Sequence, residues 1–259
     1  MKFDNKVNRK EFLKLTGIAA LIGVGGKTGF SLYASGQEPE TDSDENKNKI
    51  RYGLLIDTKK CPPDCTDCSD ICHSKHNVPS YKSKKIEIKW IWKEPAKHLF
   101  PENNWDLKPV AAKNVPLLTV CNHCKNPPCV RVCPTQATFK RDDGIIMMDY
   151  HRCIGCRFCM AGCPYGSRSF NYKDPRKGLT ELNPDYPTRT TGVVEKCNLC
   201  AEKIGDGSSP YCVEKCSKGA IIFGNLNDPE SEIRKAIEQD HVLRRKAELG
   251  TEPSVFYKV

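Results

Sequence analysis

Long apolar runs are missing from this 259-residue chain. None approaches the roughly 20 residues that a membrane-spanning helix requires, which excludes an integral membrane protein. Aromatics are scarce at 8%, and hydrophobic residues reach only 38%. A core built from side chains alone is thin for this length, so something else must help hold the fold. Catalytic signatures are missing too. There is no Ser/His/Asp arrangement, dinucleotide fingerprint or phosphate loop, and the GVGGKTG stretch at 23–29 lacks the required spacing. No C-x-x-C is followed by His, which excludes covalent haem attachment. An acidic excess is also absent: the net charge is +9, so this is not a disordered acidic tail. The Lys and Arg residues are dispersed, and no basic stripe with interleaved aromatics supports nucleic-acid binding.

What the chain has in excess is cysteine. Its sixteen cysteines fall into four groups of four, with none left over. The groups are Cys61, Cys65, Cys68, Cys72; Cys121, Cys124, Cys129, Cys133; Cys153, Cys156, Cys159, Cys163; and Cys197, Cys200, Cys212, Cys216. Each ends in a C-x3-C pair. Disulfides, zinc and iron–sulfur clusters are the three chemistries to weigh. Cysteines two residues apart make strained or redox-active bridges, which seldom come in four regular sets. A zinc ribbon wants two knuckles rather than four runs ending in C-x3-C.

The third group, CIGCRFCMAGCP, is the bacterial ferredoxin run C-x2-C-x2-C-x3-C-P. Three cysteines on a tight loop reach three irons of one cubane, and Gly155 suits a close backbone approach. The fourth is expected at the start of a helix, stiffened by Pro164, from which it ligates the partner cluster. The second group adds two residues before its third cysteine and the first group adds one. The fourth has a long excursion between Cys200 and Cys212, with Ser217 in place of the final proline. The pattern is a four-fold internal repeat with loops inserted at one point.

Crossing of the fourth cysteines defines four quartets. Groups two and three are near neighbours in sequence and form an inner pair, which leaves groups one and four as an outer pair. Quartet one is Cys61, Cys65, Cys68 and Cys216. Quartet two is Cys197, Cys200, Cys212 and Cys72. Quartet three is Cys121, Cys124, Cys129 and Cys163. Quartet four is Cys153, Cys156, Cys159 and Cys133. Each is expected to ligate one [4Fe-4S] cluster, so that metal staples distant parts of a core-poor chain.

The expected fold is α+β, with two pseudo-symmetric bacterial-ferredoxin-like halves, loop insertions and a C-terminal extension. Residues 50–110 with 176–228 form the outer half, and 111–175 the inner half. Residues 229–259 form the extension. Strands are expected at 50–57, at 86–92 and at the C-terminus. A hairpin is expected to turn at Asp143-Gly144, with a matching segment, GAIIFGNLND, after group four. Segments 93–114 and 171–195 read as loop insertions. A helix is expected to open at Asp228-Pro229, with Asp228 as its cap. Trp90 and Trp92 are candidates for the neighbourhood of a cluster or for core packing. His123, between two ligands, is a candidate for tuning a cluster or for local loop structure. His73 and His76 read as a surface helix face rather than as ligands to a partner's haem or metal.

Residues 1–36 read as an address. Arg9-Lys10-Glu11-Phe12-Leu13-Lys14 precedes a mild apolar stretch diluted by glycines, and Ala34-Ser35-Gly36 offers small residues for cleavage. The arrangement resembles a twin-arginine signal with lysine as its second basic residue. Export of a folded protein suits cubanes, which are assembled in a reducing compartment. Residues 37–49 read as a polar linker. Residues 1–36 carry six Lys/Arg against two Asp/Glu, so a chain without them has a net charge of +5. Four thiolate-ligated cubanes contribute roughly −8, which brings the holoprotein to about −3. The basic composition is therefore largely counter-charge.

The four-group pattern resembles the four-cluster ferredoxin-type subunits of bacterial membrane redox complexes, such as polysulfide, dimethyl sulfoxide and tetrathionate reductases. Within that family, several runs resemble the DsrO subunits of sulfite-reductase-linked menaquinone redox complexes. They are CNHCKNPPCVRVCPTQATFKRDDGIIMMD, HRCIGCRFCMAGCPYGSRSF, GVVEKCNLC, LGTEPSVFYKV, HNVP and KWIWKEP. The resemblance covers most of residues 50–259. It implies a periplasmic electron-transfer subunit rather than a catalyst. The implied partners are an integral quinone-interacting subunit of the NrfD type and a haem c subunit, with a link to sulfur metabolism. A molybdenum-dependent reductase or periplasmic hydrogenase is a second setting, and a structural assembly protein is a third role.

Overall fold

The computed structural model describes residues 49–259 except residue 104. The expected signal, and the linker apart from Lys49, lie outside the described residues.

Among the described residues ten short strands carry the architecture: β1 Tyr52–Asp57, β2 Ile91–Pro95, β3 Pro116–Val120, β4 Thr138–Lys140, β5 Ile146–Met148, β6 Ser169–Phe170, β7 Val194–Glu195, β8 Ile221–Asn225, β9 Val242–Leu243 and β10 Val255–Lys258. Their pairing follows one rule. The strand leaving a cysteine group pairs antiparallel with the strand entering the next: β2 with β3, β4 with β5, and β6 with β7. β8, which leaves group four, closes on β1, which enters group one. The four groups thus sit between successive rungs of a closed cycle. Two of its ribbons, β2–β3 and β6–β7, join a segment expected in one half to a segment expected in the other. The hairpin at Asp143-Gly144 is present as β4–β5, with Gly144 at φ 81°. The GAIIFGNLND segment does not fold back on itself. It supplies a single strand, β8, whose antiparallel partner lies some 170 residues earlier in sequence.

The C-terminal extension completes a four-stranded sheet in the order β8-β1-β10-β9. β10 runs parallel to β1, and Leu54 pairs with Val255. Before it reaches the sheet, the tail lies against group two: Ser254 N–H donates to Asn122 O at 2.8 Å, and Lys125 N–H donates to Glu252 O at 2.9 Å. Tyr257 is fully buried and its hydroxyl donates to Leu118 O at 3.1 Å. The core beneath includes Leu54, Ile56, Ile88, Leu99, Leu118 and Ile145, packed directly against Cys68 and Cys72.

Two expected elements are shifted. The strand expected at 86–92 begins instead at Ile91, after a 3-10 turn at Lys84–Ile86. Ile88 and Trp90 are nevertheless buried, so the alternation reported burial rather than pairing. The C-terminal helix starts at Glu232 rather than at Pro229. Ser231 is its cap and accepts from Arg234 N–H, whereas Asp228 caps the preceding turn by accepting from Glu230 N–H at 2.9 Å. Both residues have capping chemistry, and the helix begins where Ile233 can reach the core under Leu55 and Leu226.

Candidate metal centres

The third cysteine of each group rides a short helix: Cys68 in Asp67–Lys75, Cys129 in Pro128–Arg131, Cys159 in Phe158–Ala161 and Cys212 in Tyr211–Glu214. This corrects the expectation that the fourth cysteine opens a helix. In groups two, three and four the single turn ends before the fourth cysteine, and Pro134 and Pro164 follow it outside the helix. A C-x3-C pair around one helical turn carries its two thiols apart, which lets them serve different sites.

Ahead of three of those turns the backbone is forced. The residue two after the first cysteine has positive φ in three groups: His123 at 40°, Gly155 at 71° and Leu199 at 59°. A side chain there costs on the order of 1–2 kcal/mol, and only the surrounding structure can hold it. Glycine is required in group three for a second reason. A Cβ on Gly155 would collide with the carbonyl oxygen of Gly192.

All sixteen thiols are unbridged. Three cavities are each lined by one quartet. Cys61, Cys65, Cys68 and Cys216 line the first, together with Leu118 and Ile221. Cys72, Cys197, Cys200 and Cys212 line the second, with His76, Trp90 and Val120. Cys133, Cys153, Cys156 and Cys159 line the third, with Met148, Ile154 and Val194. The remaining four are grouped by their mutual fields. Burial pushes the Cys124 thiol up to about 12, with Cys121, Cys129 and Cys163 adding to the rise. The fourth cysteine of each group therefore meets the thiols of another group.

The same fields order the quartets. Burial raises Cys72 well above the ordinary thiol range; Cys197, Cys212 and Cys200 add to this, and Cys68 of quartet one adds a little more. Burial raises Cys197 to about 11, and its next neighbour is Cys121 of quartet three. Burial also raises Cys159, which feels Cys129 across the boundary between quartets three and four. Neighbours therefore run one, two, three, four.

The donor set fits a cubane. Four convergent sulfurs, most of them half-buried or buried, repel one another when ionised. A multinuclear cation in their midst would ionise them. Unsatisfied buried atoms fit as well. Between Cys121 and Cys124, both side-chain polar atoms of Asn122 lack a partner, and so does His123 Nε2. His123 Nδ1 accepts from Ile146 N–H at 3.0 Å, which puts the ring proton on Nε2. Burial, then Lys196 and Arg168, drive its pKa well below 6.5, so the imidazole is neutral. Inorganic sulfide and thiolate are acceptors of the kind these donors lack.

The expectation for His76 fails. It is fully buried rather than on a surface face. Its Nε2 pairs with Glu202 Oε1 at 2.8 Å, and its Nδ1 lies 3.8 Å from Cys72 Sγ. The ring packs between Trp90 and Tyr186. Of the two tryptophans, Trp90 is fully buried beside quartet two, and its indole N–H donates to Glu195 at 3.0 Å. Trp92 is half-buried, and its N–H donates to Glu94 at 3.1 Å. Sequence reasoning missed Arg168, Arg189, Glu195 and Lys196, all buried around these sites. Charged residues in a loop-like composition carry no sequence signal for burial.

Residues 115–181 match the 4Fe-4S dicluster domain. The chain is 40% identical to the Hdr-like menaquinol oxidoreductase iron-sulfur subunit 1 of Archaeoglobus fulgidus, over 97% of each chain. The chain belongs to the family of iron–sulfur subunits of menaquinol-oxidoreductase and polysulfide-reductase complexes. The menaquinone reductase iron-sulfur cluster-binding subunit of Nitratidesulfovibrio vulgaris is 36% identical, over 81% of this chain and 89% of the relative. A polysulfide reductase subunit of Wolinella succinogenes is 31% identical, over 80% of this chain and 93% of the relative. As a member of this family the chain is an iron–sulfur electron-transfer subunit of an oxidoreductase complex, and it binds [4Fe-4S] clusters.

Proposed function

We propose that the chain carries four [4Fe-4S] clusters, one per quartet, and relays electrons along them in the order one, two, three, four. Each cluster exchanges a single electron when bound. The chain's own residues hold the sulfurs, exclude water and set the surrounding charge. The observation that carries the reading is the convergence of four thiols from two groups at each position. The polypeptide organises the row as two ferredoxin-like pairs of clusters, quartets one and two in one pair and quartets three and four in the other.

The row's partner is an integral quinone-interacting subunit of the NrfD type, with a haem c or other redox subunit completing the complex, in dissimilatory sulfur metabolism. The DsrO-like segments around all four groups and in the C-terminal tail support this assignment, as do the menaquinol- and menaquinone-linked names of the relatives at 40% and 36% identity. Iron and acid-labile sulfide are expected at about sixteen each per chain after anaerobic purification. Zinc in their place, or redox-inert clusters across the menaquinone range, would refute the relay.

The holoprotein is placed in the periplasm by a twin-arginine-type signal at residues 1–36, which includes Arg9 and Lys10. Replacing both with glutamine is expected to leave the holoprotein in the cytoplasm. Cell fractionation checks this, and normal export of the double variant would overturn it.

A further inference from the structure

Arg168 closes the group-three run CPYGSR, in the loop after Cys163. It is 5% exposed, yet none of its hydrogen bonds goes to a carboxylate. Nη1 donates to Thr138 Oγ1 at 3.0 Å and approaches Met148 Sδ at 3.1 Å. Nη2 has no hydrogen-bond partner. Met148 packs with Cys129 and Cys159 in one buried cluster, so the guanidinium that approaches its sulfur lies beside both thiols. These are the third cysteines of groups two and three, so they belong to quartets three and four. A guanidinium has five donors in a rigid fork, and its charge is permanent. Burying it without a carboxylate is costly unless other anions face it. Among the described residues, the acceptors at hand are cysteine sulfurs.

Lys196 stands in a related position. It is 1% exposed, immediately before Cys197, and its Nζ donates to the carbonyl oxygens of Ile146 and of Cys197. Cys121 and Cys129 of quartet three and Cys197 of quartet two are its thiol neighbours. Lys196 is therefore shared between quartets two and three and Lys203 lies near Cys200 of quartet two, whereas Arg168 faces quartets three and four. The Lys93 side chain near Cys61 is turned to the carbonyls of Pro62 and Pro63, in a half-buried to exposed position.

We infer that Arg168 is a potential-setting bridge: its fixed positive charge, shared between quartets three and four, favours the reduced state of both clusters over those of quartets one and two. The inference rests on the four-cluster reading above. The physical argument is electrostatic. Reduction adds a negative charge to a site from which water is largely excluded. A cation held against the ligand sulfurs lowers the free energy of that added charge, and screening by salt is weak there. Hydrogen bonds to thiolate sulfur act in the same direction. One guanidinium touching two quartets also stabilises the second electron on the pair, opposing the repulsion that the first creates. The inner pair is thereby made a better electron acceptor than the outer pair.

The test is an EPR-monitored redox titration of the holoprotein, with iron counted on the same samples. R168Q keeps a donor for sulfur and loses the charge, R168M loses both, and R168K keeps the charge on a less rigid donor. The expected result is that two of the four midpoint potentials fall in R168Q and fall further in R168M, while the other two stay where they were. R168K is expected to remain nearest to wild type. Four unmoved potentials with full iron in R168Q and R168M overturn the proposal, as does an equal shift of all four. Neutral variants that lose iron while R168K loads fully also overturn it, because the residue would then serve assembly rather than potential. Wild-type protein without four redox-active clusters would instead overturn the underlying reading, so the two failures are distinguishable.

Discussion

Replacing Cys72 and Cys197 together by serine is expected to remove one cluster, and replacing Cys68 and Cys72 together is expected to remove two. In iron per chain, about sixteen becomes about twelve in the first variant and about eight in the second. The reason is the crossing. Cys72 lines the cavity of Cys197, Cys200 and Cys212, whereas Cys68, one helical turn earlier, lines the cavity of Cys61, Cys65 and Cys216. Had each group of four consecutive cysteines held its own cluster, the outcomes would be exchanged, since Cys72 and Cys197 would then belong to two sites and Cys68 and Cys72 to one. Iron analysis with sulfide determination therefore decides between the two connectivities. The Cys68/Cys72 variant also loses the links between the first helix and the chain beyond Cys197. Its residual fold is expected to be far more sensitive to protease than that of the Cys72/Cys197 variant.

The second large effect concerns stability. Arg189 and Glu195 are both fully buried, and Arg189 Nη2 lies 2.6 Å from Glu195 Oε2. The pair has further partners. Arg189 donates to the backbone oxygens of His76 and Asn77 and lies over the Trp90 ring at 5.1 Å, while Glu195 accepts from Trp90 and Asn171. The partners come from distant parts of the chain: the stretch after group one, β2's approach, the loop after group three and the strand entering group four. R189M is expected to destabilise the holoprotein by about 3–5 kcal/mol, because it leaves a buried carboxylate unpaired. E195Q alone is expected to cost a similar amount by stranding the guanidinium. The double variant R189M/E195Q is expected to cost clearly less than the two added together, since neither charge is then stranded. Denaturant midpoints followed by loss of cluster absorbance measure all three. A loss below about 1 kcal/mol in R189M would show that the pair is dispensable.

Both predictions turn on the relation between local motif and long-range closure. The ferredoxin run of group three, the hairpin at Asp143-Gly144 and the strands at β1 and β10 were legible because they depend on contacts within a few residues or on simple alternation. The spacing of the thiols was legible for a related reason: the C-x3-C pair spans one helical turn, and the turn geometry is local. The helix positions were less legible. The run does not say whether the turn ends before or after its fourth cysteine, since Pro164 has a reason to stand at either place. His76 was misplaced because a histidine beside charged and polar neighbours looks solvated. Its burial comes from Trp90, Tyr186 and Glu202, of which the last two lie more than 100 residues away.

The sequence by itself determined the donor chemistry of this protein: sixteen soft donors in a repeated spacing. Tertiary structure alone decided three things. It closed four ribbons into a cycle by pairing β8 with β1. It drew the C-terminal tail across group two and into the sheet between β1 and β9. It also buried Arg168, Lys196, Arg189 and Glu195 among or beside the cysteines. The physical reason is common to all three. Ligand spacing is set by the chain's own covalent and helical geometry, whereas the pairing of a distant strand or the burial of a charge depends on which partner happens to face it. No window of sequence contains both members of such a pair.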